Sequence, residues 1–264
     1  MRLTALVGGV AGALVLTGCG TGDDGADATE DAGPHTLTVY AAASLTDSME
    51  RIATQFEAAQ EEAGNPGVTV ELNVGGSSDL LAQLRSGAPA DVFASADETT
   101  MGRAAADALL EKEPELFATN VLQIATPPDN PAGIGSLADL ADSENQVVLC
   151  APEVPCGAAA ERVQQAAGTD IEPVSEERVV TDVLGKVSSG EADAGLVYVT
   201  DVLGAGDDVL GIDFPESAEA VNNYPIAALA DSEQDGLAQA FVDFVVGESG
   251  QQILADAGFG APDT

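Results

Sequence analysis

Leu37-Thr38-Val39-Tyr40-Ala41-Ala42-Ala43-Ser44-Leu45 is the stretch that decides the fold. Leu37 to Tyr40 is a β-rich run, and the small residues after it turn the chain into a helical pattern. Leu45, Met49, Ile52 and Phe56 lie at offsets 0, 4, 7 and 11, which is one buried helix face. The arrangement recurs about thirty residues later. Val68, Val70, Leu72 and Val74 alternate as a strand, Gly75-Gly76-Ser77-Ser78 turns, and Leu80, Leu81 and Leu84 mark a second helix. After the Ser86-Gly87-Ala88-Pro89 break, Asp91 to Ala96 reads as a third strand. Strand, helix, strand, helix, strand predicts a parallel sheet with helices on its faces.

This pattern puts Ser44 and Ser77 at the N-terminal ends of successive helices. A helix start leaves backbone N–H groups without intrahelical partners and carries partial positive charge. Two such ends side by side make an anion site without any basic side chain. Either serine alone reads as an ordinary N-cap. Their repetition in successive βα turns, together with motifs further along, favours ligand contact.

A second set begins at the strand Asn120 to Ala125, ended by Thr126-Pro127-Pro128. It continues through a strand Gln146 to Cys150, helices near Ala158 to Ala167 and Thr181 to Ser188, and a strand Ala194 to Val199. Tyr224 to Ala230 is a further strand, and a helix holding Leu237, Phe241, Phe244 and Val245 closes the chain. The expectation is an α/β fold of two lobes, each a mainly parallel sheet flanked by helices, with a ligand cleft between them. Residues 36–119 and 221–264 form the first lobe and 120–220 the second.

The first eighteen residues read as an export signal. Arg2 precedes an apolar run, Leu3 to Leu16, that is too short to span a bilayer. Leu16-Thr17-Gly18-Cys19 looks like the lipobox of a bacterial lipoprotein precursor, with cleavage before Cys19 and lipid added to it. Residues 19–35 hold Gly, Ala, Asp and Glu with no large apolar side chain, so they read as an acidic tether. The expected location is the outer face of the cytoplasmic membrane.

The formal charge of −37 excludes nucleic acid as a natural partner, because phosphate binding needs Lys and Arg density. His35 is the only histidine and falls in the tether, which removes a Ser-His-Asp triad. No Gly-rich loop ends in Lys-Ser or Lys-Thr, so there is no nucleotide phosphate cradle. The reading is therefore a binding protein, not an enzyme, with no cofactor. Cys150 and Cys156 stand six apart in a Pro-rich loop. In an exported chain this favours a disulfide over free thiols, and two cysteines with no nearby histidine do not make a zinc site. Tyr40 and Tyr224 are assigned to packing.

Five motifs now stand in order: Ala41-Ala42-Ala43-Ser44-Leu45, Gly75-Gly76-Ser77-Ser78, Gly87 to Ala96, Pro152-Glu153-Val154-Pro155-Cys156-Gly157 and Gly195-Leu196-Val197-Tyr198. From about residue 36 to the C-terminus the chain resembles the molybdate-binding proteins of ABC transporters. That resemblance implies a two-lobed receptor of the type II periplasmic-binding class that closes on a tetrahedral dianion. Carried over by position, the ligand contacts are Ser44 and Ser77 through hydroxyl and backbone N–H, Cys156 and Val180 through backbone N–H, and Tyr198 through its phenol. It further implies tungstate as a second ligand, a permease and its ATPase as partners, a monomer, and no direct cation ligands. Cys156 stands where the family commonly has a small aliphatic residue. Asp79 and Glu153 place carboxylates beside two anion-binding turns and must point away. The alternatives are a receptor for another oxyanion such as sulfate, or an exported scaffold with an empty cleft.

Overall fold

The structure is a computed structural model and describes residues 35–262. The signal segment, the lipobox with Cys19, and the tether up to residue 34 lie outside the described residues. His35 is not part of a tether in the structure. It opens β1 (His35–Ala42), where it pairs with Val68 and donates its N–H to Gly67 O at 3.1 Å.

β1 runs into a 3-10 turn (Ala43–Leu45) and then α1 (Thr46–Glu62). The predicted apolar face of α1 is the buried one, and Phe56 meets Phe241 and Phe244 edge-on at 5.2 and 5.6 Å between ring centroids. β2 (Val68–Gly75), α2 (Ser77–Arg85), β3 (Val92–Ala94), α3 (Glu98–Ala106) and β4 (Glu115–Asn120) follow. Asp97 caps α3 by accepting the Thr100 N–H at 2.8 Å. Asp91, the acid of the third motif, is buried and structural. It accepts from Thr38 N at 2.7 Å and Ser232 Oγ at 2.6 Å, fastening β1 to a distant loop.

After Val121 the chain begins a second sheet with β5 (Leu122–Thr126) and β6 (Val147–Cys150). α4 (Pro155–Ala167), β7 (Ser175–Glu177), α5 (Val180–Ser188), β8 (Ala194–Tyr198), α6 (Val199–Ala205) and β9 (Leu210–Ile212) complete it. β10 (Asn222–Ala228) returns to the first sheet, followed by α7 (Asp235–Val246) and α8 (Glu248–Asp256).

The two sheets have the orders β2-β1-β3-β10-β4 and β7-β6-β8-β5-β9. Each is mixed: β10 runs antiparallel to β3 and β4, and β5 runs antiparallel to β8 and β9. The reversed strand in each sheet is the one that enters it from the other lobe. Three apolar cores follow the same division, one under the second sheet and two on the faces of the first.

The crossings lie together, because Asn120 pairs with Asn222 across β4 and β10. Asn120 Nδ2 donates to Thr200 Oγ1 at 2.8 Å. Asn222 Nδ2 donates to Ala96 O at 2.8 Å and to Tyr198 OH at 2.9 Å, and its Oδ1 accepts from Arg162 Nη2 at 2.8 Å. Asn120 is thus tied to the start of α6, and Asn222 to the segment just after β3 and to the end of β8.

Candidate functional site

Ser44, Ser77, Cys156, Val180 and Tyr198 all line one small cavity between the lobes. The first lobe supplies Ser44 and Ser77, and the second supplies the rest. Neither serine caps its helix. Gly76 is the N-cap of α2 with Ser77 its first residue, and Ser44 sits in the 3-10 turn ahead of α1.

Two of the three cavity hydroxyls have their acceptor side already used. Ser77 Oγ accepts the Ala96 N–H at 3.0 Å, and Tyr198 OH accepts from Asn222 Nδ2. Ser44 Oγ lies 3.0 Å from Tyr224 OH. Ser77 Oγ and Tyr198 OH each already accept an N–H and so can donate their own protons, while either oxygen can be the donor in the Ser44–Tyr224 pair. Burial holds the Tyr198 and Tyr224 phenols well above their ordinary value, so both stay protonated. Tyr224, read from the sequence as packing, does pack edge-on against Phe117, Tyr198 and Phe259, but its hydroxyl also orients Ser44.

Backbone donors complete the set. Ser77, Cys156 and Val180 fall at the first or second positions of α2, α4 and α5, where no intrahelical acceptor exists. Their N–H groups have no acceptor among the described residues. α4 starts three residues earlier than its apolar pattern suggests. Pro155 occupies the first position, where its missing N–H costs nothing, and this puts Cys156 in the first turn. The disulfide Cys150–Cys156 joins the end of β6 to that turn with a Cα–Cα distance of 5.7 Å. Gly157 is required beside it, since a Cβ there would overlap the Ala151 carbonyl and lie 2.8 Å from Cys150 O.

The two carboxylates near the turns are accounted for by a residue that pattern reading did not single out. Arg178 Nε lies 3.1 Å from Asp79 Oδ1, and its Nη1 lies 3.2 Å from Glu153 Oε1. Arg178 is the only cationic residue lining the cavity, and its guanidinium is committed to these acids. The signal that could have found it was the need to neutralise Asp79 and Glu153 with one of only eight basic residues.

A larger groove of about 700 Å³ lies on the other side of Ser44, lined by Asp47, Arg51, Thr200, Asp201 and Asp256. Three carboxylates against one guanidinium, itself 3.7 Å from Asp256, make it a poor place for an anion. Asp201 accepts the Tyr198 N–H at 2.8 Å, and burial raises its carboxyl to about 7. The folded chain keeps this proton at pH values where the unfolded chain has lost it. Its stabilising contribution is therefore complete below about pH 4 and lost as pH rises through about 7. Asp201→Asn removes that loss, so the melting temperature of the variant minus that of wild type should rise from pH 5 to pH 8. An unchanged difference would show that the carboxyl titrates normally.

This geometry is a two-lobed cleft with donors from both lobes and no committed acceptor. Residues 37–260 match the family described as bacterial extracellular solute-binding protein. The chain belongs to that family. Among its relatives is the molybdate-binding protein ModA of Mycobacterium tuberculosis, 44% identical over 99% of this chain and 100% of the relative. In solved structures, the periplasmic molybdate-binding protein of Azotobacter vinelandii superposes with a TM-score of 0.68 at 21% identity, covering 86% of this chain and 100% of that one. The sulfate-binding protein SubI of M. tuberculosis reaches 0.71 at 20% identity, covering 87% and 88%. These last two likenesses establish the fold, and since they name different anions they do not choose between them. As a solute-binding protein the chain is a receptor, not an enzyme. Among the described residues no group of three or more His, Cys, Asp or Glu side chains could hold a metal ion.

Proposed function

We propose that this chain is the substrate receptor of an ABC importer and captures molybdate, with tungstate as an equivalent ligand, outside the cytoplasmic membrane. The observation that carries the reading is the donor-rich cavity: Ser77 and Tyr198 hydroxyls that already accept an N–H, the Ser44 hydroxyl paired with Tyr224, three helix-terminal N–H groups, and a guanidinium engaged elsewhere. A fully deprotonated tetrahedral dianion only accepts hydrogen bonds and would satisfy such a set. Protonated phosphate brings a donor that the cavity leaves unpaired, and sulfate is smaller and reaches fewer donors at once. The 44% identity over the whole length to a protein named for molybdate supports the choice of anion.

Ser44, Ser77, Cys156, Val180 and Tyr198 are the ligand contacts in this reading, brought together by closure of the lobes about Asn120–Val121 and Val221–Asn222. The receptor acts as a monomer, delivers its anion to a permease driven by an ATPase, and is held to the membrane by lipid on Cys19. Isothermal titration with molybdate, tungstate, sulfate and phosphate tests the choice. Tight one-to-one binding of the first two, with the others silent, is expected. Tight sulfate binding would replace molybdate as the ligand, and silence with all four would leave the scaffold reading. Hydrogen bonds to a charged group are worth about 1.5–3 kcal/mol. Ser44→Ala should therefore weaken molybdate about 10–150-fold in the same titration. Unchanged affinity would remove Ser44 from the site.

A further inference from the structure

Arg178 lies on the short segment between β7 and α5, in the second lobe, at the mouth of the cavity. Its guanidinium reaches Asp79 on α2 of the first lobe, with Nε 3.1 and 3.3 Å from the two carboxylate oxygens. It also holds Glu153, which sits in the disulfide-closed loop of its own lobe. Among the described residues, Arg178–Asp79 is the only ion pair joining the lobes. Two further contacts close the same spot. Ser78 Oγ donates to Glu153 O at 3.2 Å, and Gly76 approaches so closely that a Cβ would stand 2.8 Å from Arg178 O.

An arginine at an anion cavity invites the reading that it binds the anion. The geometry argues otherwise, because two carboxylates already take up its charge and its hydrogen-bond directions. We propose that Arg178 is a positioning residue: it latches α2 of the first lobe to the Cys150–Cys156 loop and α5 of the second, and so sets how fast the closed cleft releases its anion. This rests on the oxyanion reading above. The ion pair is half exposed, a setting in which such pairs are weak and screened by salt. The expected effect is accordingly modest and kinetic. Breaking the latch speeds release on the order of 2–5-fold and leaves capture unchanged.

The two roles predict opposite signs for one variant. Asp79→Asn frees the guanidinium and removes a negative charge from the cavity mouth. If Arg178 attracted the anion, release would slow. If Arg178 is a latch, release quickens. The experiment loads the full chain with radiolabelled molybdate, dilutes it into excess unlabelled molybdate, and follows retention by rapid filtration. Asp79→Asn and Arg178→Gln should each release about 2–5-fold faster than wild type, with the double variant no faster than either single one, because both remove the same contact. Added salt should speed release from wild type and have little effect on the double variant. Slower release from Asp79→Asn, additive effects, or wild-type rates in both single variants would overturn the latch while leaving the oxyanion reading intact. Wild-type chain that retains no label would bring down the oxyanion reading, and the latch with it.

Discussion

A Gly157→Ala variant is expected to melt about 6–20 °C below wild type and to bind molybdate weakly. The added Cβ would run into the Ala151 carbonyl and the Cys150 carbonyl oxygen, all backbone atoms held by the end of β6 and by the disulfide. Flexible side chains can swing away from a new methyl group; this backbone cannot. Either α4 moves or the loop does, and overpacking of this severity costs about 3–5 kcal/mol. For a chain of this size each kcal/mol lowers the melting temperature by about 2–4 °C. Any displacement of the first turn of α4 carries Cys156 N–H out of the cavity, so the affinity falls as well. Differential scanning calorimetry checks the first effect and titration the second. A wild-type melting temperature would mean that α4 and the loop are looser than their contacts indicate.

Gly76→Ala should behave in the opposite way, with a large loss of affinity and little loss of stability. Gly76 has φ −62° and ψ 129°, a conformation open to any residue, so alanine imposes no backbone strain. Its Cβ meets Arg178 O and the Val179 side chain, both of which belong to the other lobe. The clash therefore exists only when the cleft is shut. Keeping the lobes apart withdraws the donors of one lobe from an anion held by the other. Loss of two hydrogen bonds to a charged group corresponds to about 10²–10⁴-fold in affinity. The ligand-free variant should melt within about 2 °C of wild type, since an uncompensated effect below 0.5 kcal/mol is typical of a site without strain. Its melting temperature should fail to rise with molybdate at concentrations that stabilise wild type. Equal ligand-induced shifts would show that closure does not bring these backbones together.

Together the glycines separate what positions a donor from what assembles the site. Gly157 lets the loop after β6 fold back on α4 within one lobe, and Gly76 lets the two lobes approach. The hinge amides Asn120 and Asn222 add a third layer, since Asn222 both pairs across the crossing strands and fixes the Tyr198 hydroxyl.

The first-lobe side of the cavity was readable because Ser44 and Ser77 sit at junctions with local signatures. A strand followed by small residues and then a 3.6-residue period marks a helix start wherever it occurs, and it located Ser44 and Ser77; Cys156, Val180 and Tyr198 were legible only through the family resemblance. What was not readable depends on partners remote in sequence. The reversal of β5 and β10 that makes both sheets mixed is set by where the chain crosses, and an apolar strand reads alike in either direction. Tyr224 reads as a core aromatic, and its ring is one. Its hydroxyl reaches a serine 180 residues away, which no local pattern records. Arg178 pairs with an acid 99 residues distant. By contrast α3 had an available signal in its Asp97 cap. The closing helix is in fact two, broken at Gly247, where an added Cβ would crowd Asp243 O at 2.9 Å.

In the proposed complex, neutral donors and not a basic side chain hold the anion. The most direct measurement is a crystal structure of the chain grown with molybdate. Anion oxygens are expected within about 2.7–3.2 Å of Ser44 Oγ, Ser77 Oγ, Tyr198 OH and the N–H groups of Cys156 and Val180, with Arg178 still on Asp79 and Glu153. Molybdate seated against the Arg178 guanidinium, or bound outside this cavity, would contradict it.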